Sequence, residues 1–62
     1  MCQMSIVLEK NNDLEKIMEN VSLLEVTDAG ITISTLFEEP KTVPNVVIKK
    51  IDFLEGIVTL AT

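Results

Sequence analysis

Hydrophobic and polar residues alternate over short stretches of this chain, and the pattern restarts roughly every ten residues. The clearest block is VSLLEVTDAGITISTLF. VSLLEV reads as a strand, DAG as a turn and ITISTLF as the returning strand. Gly30 supplies a positive φ, and Asp28 is placed to bond back onto the turn backbone. Ile31 and Ile33 point one way and Thr32 and Ser34 the other, so one face of the sheet is buried. Upstream, QMSIVLEK is short and β-branched and ends in the charged turn EKNND. Residues 3–9 therefore read as a strand. Downstream, VVIKKIDF and GIVTLAT form a second strand pair joined by a tight LEG turn around Gly56. Between the two pairs, LFEEPKTVPN breaks the alternation with two prolines and two acids and reads as a loop of roughly eight residues.

One segment has two readings. In DLEKIMEN, residues 13–20, Leu14, Ile17 and Met18 fall at the spacing of a helical face, and Asp13 could cap the helix. Eight residues are few for a helix, however, and Leu14, Lys16 and Met18 would also alternate on a strand. A short helical turn and an irregular strand both fit. The sum is an all-β protein of five to six short strands joined mostly by hairpins. A sheet this small exposes its edges unless it closes, so residues 1–62 are expected to form a single domain, a small antiparallel β-barrel.

Composition narrows this picture. A chain of 62 residues buries only about 60% of its unfolded surface, so its margin is thin without a disulfide, a metal or a partner. Its single cysteine cannot form an internal disulfide. Phe37 and Phe53 are the only aromatic residues, so the core must be Val, Ile and Leu. Ten acids face five lysines, with no arginine, for a net charge of −5. That balance repels phosphate backbones and makes nucleic acid an unlikely partner. The opening MCQMSIVLEK has neither the basic start nor the apolar run of a secretion signal, and no apolar stretch exceeds three residues. No membrane span is expected, and a lone thiol suits the reducing cytoplasm.

The inventory also limits chemistry. Without histidine there is no Ser-His or Cys-His pair and no imidazole base, and the two glycines stand alone in turns. Glu38–Glu39 and Asp52…Glu55 read as solvated surface, with a partner contact as the second reading of the EEP stretch. An enzyme is not expected. Cys2 remains, with three readings open: a small packed hydrophobe, a metal ligand, or a redox or dimer-linking thiol. As a ligand it has nitrogen donors nearby in the backbone and the chain-terminal amine. Removal of Met1 would leave its own amine and thiolate to form a five-membered chelate. Mixed nitrogen and sulfur suit Ni(II) or Cu(II), with Zn(II) also open. One terminus gives only two donors; a two-fold homodimer could bring two together.

The opening MCQMSIVLE, the middle VSLLEV, the stretch TLFEEP and the closing IKKIDFLEGIVTL resemble the CooT family end to end. The resemblance implies a homodimer of small Sm-like or SH3-like barrels. It also implies a nickel-binding accessory protein that assists nickel insertion into carbon monoxide dehydrogenase, with the nickel ligand falling on Cys2. The family's loop usually reads leucine, phenylalanine, glycine, glutamate. Here it reads Leu36, Phe37, Glu38, Glu39, which implies a different turn at Glu38. Two other functions compete: an Sm-like RNA-binding module, a label some relatives carry, and a structural or protein-interaction domain in which Cys2 is only packed.

Overall fold

The computed structural model describes residues 3–62. Six strands succeed one another along the chain: β1 (Met4–Lys10), β2 (Asp13–Thr27), β3 (Gly30–Thr35), β4 (Lys41–Val43), β5 (Val47–Asp52) and β6 (Ile57–Ala61). They form one sheet in the order β4-β3-β2-β1-β6-β5. All neighbours are antiparallel except β1 and β6, which run parallel.

The expectation of a closed antiparallel barrel is overturned. β4 and β5 are the outermost strands and share no ladder, so the sheet stays open. The edges are managed in other ways. β4 has only three residues and ends at Pro44, which has no N–H to offer, followed by Asn45 at φ 62°. β5 carries Lys49 and Lys50, and its register shifts between Ile48 and Lys50, a bulge that spoils a flat edge. Short strands, lysines and bulges protect an edge without closure. On the open side, a cavity of about 300 Å³ separates β4 from the β1–β2 hairpin, with Leu8, Ile17 and Val43 in its wall beside Lys16 and Lys41.

Residues 13–20 are strand throughout, the first half of a 15-residue β2. Asn11 and Asn12 both take positive φ (55° and 69°), so they form the two-residue turn of a hairpin closed by Lys10 and Asp13. The helix-like spacing has a local cause. Ile6 pairs with Met18 and Val7 with Lys16, which leaves Ile17 as the extra residue of a bulge. Leu14 then lies on one face of the sheet and Met18 on the other, so the inserted residue turns a two-residue period into an apparent helical one. Asn20, at φ 58°, sits where β2 passes from pairing β1 to pairing β3.

The core is aliphatic, as composition requires: Ile6, Val21, Ile31, Ile33, Val58 and Leu60 are buried, with Met4, Leu8, Ile17, Met18, Leu24, Val43 and Val46 packed against them. Ile31 and Ile33 point inward from β3 while Thr32 shares a hydroxyl hydrogen bond with Thr42 of β4 (2.9 Å). The β2–β3 turn is tied by Thr27 rather than Asp28: its Oγ1 accepts from the Ala29 N–H (3.2 Å) and donates to the Gly30 carbonyl (3.1 Å). Gly30 is required twice over. Its φ is 135°, and a Cβ there would stand 2.3 Å from the Val43 carbonyl oxygen, so β4 can come alongside only because no side chain intervenes.

Candidate functional site

Cys2, the one metal ligand expected from the sequence, lies outside the described residues, as does Met1. Gln3 leads into β1, and the Ser5 N–H donates to the Gly56 carbonyl at 2.7 Å. A Cβ on Gly56 would lie 3.4 Å from the Gln3 carbonyl oxygen and 3.9 Å from the Met4 sulfur. The beginning of β1 and the β5–β6 turn are therefore neighbours. The parallel register places Ser5 beside Ile57, and Ile57 faces Asp52 across β5–β6.

That turn is built by Asp52. Its Oδ1 accepts from the Glu55 N–H (2.9 Å) and its carbonyl accepts from the Gly56 N–H (2.8 Å), with Gly56 in the left-handed region at φ 72°. Asp52 and Glu55, a possible carboxylate pair in the sequence, thus meet as a turn cap and the amide it holds. The same closure leaves Phe53 and Leu54 standing in solvent, 80% and 99% exposed.

A second exposed pair lies after β3. Thr35 Oγ1 accepts from the N–H groups of Phe37 (3.1 Å) and Glu38 (2.9 Å), and Leu36 and Phe37 project at 73% and 82% exposure. ITISTLF thus ends as a strand at Thr35, two residues short of the expected end. The backbone at Glu38 is not in the left-handed region, so the glycine of the family's usual loop is not needed there. Both aromatic residues of the chain are at the surface, each held out by a capped turn, and nothing in the sequence pattern signalled this.

Among the described residues no three His, Cys, Asp or Glu side chains are grouped to hold a metal ion. Two ion pairs are present there: Lys49 with Glu9 (2.5 Å), reaching across β6, and Lys16 with Glu19 (2.6 Å). The hydrogen bond from Lys16, aided by its charge, holds the Glu19 carboxyl below its ordinary range. Both groups are exposed, so the pair adds little to stability. Among the described residues no helix is long and apolar enough to cross a membrane.

Fold and composition together describe a small, acidic, six-stranded β protein. The chain belongs to the CooT family, described as the CO dehydrogenase accessory protein CooT, whose model matches residues 1–61. It is thus a member of a family of accessory proteins rather than enzymes. A crystal structure of "putative CooT from Carboxydothermus hydrogenoformans" superimposes with a TM-score of 0.87 at 22% identity, covering 97% of this chain and 95% of that one. At that identity the likeness carries the fold. Comparison with curated proteins finds no match.

Proposed function

We propose that this protein is a nickel-binding accessory protein of the cytoplasm, metallochaperone-like, which holds Ni(II) through Cys2 where two copies of the chain meet. Membership of a family described as a carbon monoxide dehydrogenase accessory protein supports the reading and makes that enzyme the proposed client. Nickel is cargo here, and the fit of the residues can be judged from the chain's own donors. Cys2 is the only thiol, there is no histidine, and no acidic cluster among the described residues competes for a metal. A thiolate with nitrogen donors at the chain start is the donor set that this chain can offer a borderline-soft ion. One copy supplies too few such donors for a four-coordinate site, which is the reason for the second. Binding displaces the thiol proton, so affinity rises with pH.

The test is a nickel titration of the reduced protein. Thiolate-to-nickel charge-transfer absorption should saturate near one ion per two chains. C2S should lose that absorption and at least 100-fold in affinity, and a C2S protein that binds nickel like the wild type would refute the assignment.

A further inference from the structure

We infer that Leu36 and Phe37 anchor the protein on its client enzyme, entering an apolar pocket edged by basic residues. This rests on the accessory-protein reading and deepens it by naming the surface that meets carbon monoxide dehydrogenase.

The tip is a built projection. β3 stops at Thr35, opposite Val21, and β4 starts at Lys41, so residues 36–40 span the gap. Thr35 Oγ1 accepts from the Phe37 and Glu38 N–H groups, which fixes the backbone under both apolar side chains. Pro40 then stiffens the exit. Leu36 and Phe37 stand 73% and 82% exposed and offer on the order of 250 Å² of apolar surface. That is about a third of the roughly 800 Å² that each side of a stable complex buries, the share of a central anchor rather than of a whole interface. Shape also discriminates. The other exposed pair, Phe53–Leu54, adjoins a shallow apolar groove of about 160 Å³ lined by Val7, Leu14, Ile57 and Thr59 between Lys50 and Asp52, a surface that can receive a partner. Leu36 and Phe37 line neither that groove nor the cavity beside β4. A convex pair without a floor of its own needs a concave site on another molecule.

Charge selects the kind of molecule. Glu38 and Glu39 follow the pair directly, and neither enters an ion pair among the described residues. Of the other charged groups near the tip, Glu19 lies two residues before the Val21 that pairs Thr35, and its charge is met by Lys16 at 2.6 Å. Lys41 opens β4 opposite the buried Ile33 and lines the cavity beside Leu8 and Ile17, on the core side of the strand. A two-fold contact at the tip would set Glu38 and Glu39 against their own copies, and the net charge of −5 adds to that repulsion. An anionic membrane is repelled for the same reason. A pocket with lysine or arginine at its rim is attracted. The acids then steer the approach while the apolar pair holds the complex.

The experiment is calorimetric titration of nickel-free carbon monoxide dehydrogenase with the full chain, repeated at rising salt. The wild type should bind, and less tightly as salt rises. L36S/F37S alters only exposed positions; it should keep its far-ultraviolet spectrum and its self-association, and bind the enzyme roughly 100-fold more weakly. E38K/E39K should lose roughly tenfold in affinity and most of the salt dependence. L23S removes an exposed leucine from β2 and should bind like the wild type. An L36S/F37S protein that binds normally, an L23S protein that loses as much, or an E38K/E39K protein that binds more tightly overturns the docking assignment and leaves the client reading standing. A loss of self-association in L36S/F37S also overturns it, because a second copy then covers the tip. A wild type that does not bind the enzyme refutes the client reading, and this inference with it.

Discussion

The chain presents the same two apolar residue types twice, as Leu36–Phe37 and as Phe53–Leu54, and the two presentations differ in what surrounds them. Each pair is exposed, each is held by a side-chain cap (Thr35 or Asp52), and each precedes an acid. The first pair lies between β3 and β4, on the way to an edge strand of three residues. The second closes β5 onto β6, touches the start of β1 and continues into an apolar groove. A neighbouring apolar groove and a turn bonded to the start of β1 distinguish the second pair from the first.

The sharpest way to break this comparison is a contrast between the two glycine turns, read by urea denaturation. G30A forces a Cβ into the Val43 carbonyl at a strained φ and should cost about 3 kcal/mol, with β4 and the Leu36–Phe37 loop loosened. G56A meets only ordinary contacts, the nearest at 3.4 Å, and should cost about 1–2 kcal/mol for its left-handed backbone. A larger loss for G56A than for G30A would mean that close approach does not govern the β2–β3 turn. The smallest effects come from the caps. T35V and D52A each release turn amides that are not buried and should each cost about 1 kcal/mol. A variant that unfolds at the wild-type urea concentration would show that its cap does not hold the turn.

Much of the fold was legible in short-range pattern. The ITIST alternation, the β2–β3 and β5–β6 turns at the two glycines and the aliphatic core all derive from two-residue periodicity and turn chemistry. The segment 13–20 was not, because the bulge at Ile17 imitates a helical repeat. The better signal was next to it: two asparagines tolerate the left-handed backbone of a two-residue hairpin turn, and a strand must come after such a turn. β4 was missed because three residues between two prolines look like loop, and they pair only since Gly30 leaves room. Of the candidate site, Cys2 stands out by inventory and resemblance, and it lies outside the described residues. The exposed tip beside the chain start was invisible, because it depends on β1 lying parallel to β6, a pairing between the first and last strands.

The sequence by itself determined the strands other than β4 and the first half of β2, the two glycine turns, the aliphatic core and the family, because each rests on residues close together in the chain or on its inventory. Only the tertiary structure decided that the sheet stays open and that Gly56 stands next to Gln3. Those outcomes depend on which distant strands pair and on how bulges redirect them. A local pattern fixes which face of a strand is apolar but not what that face will meet.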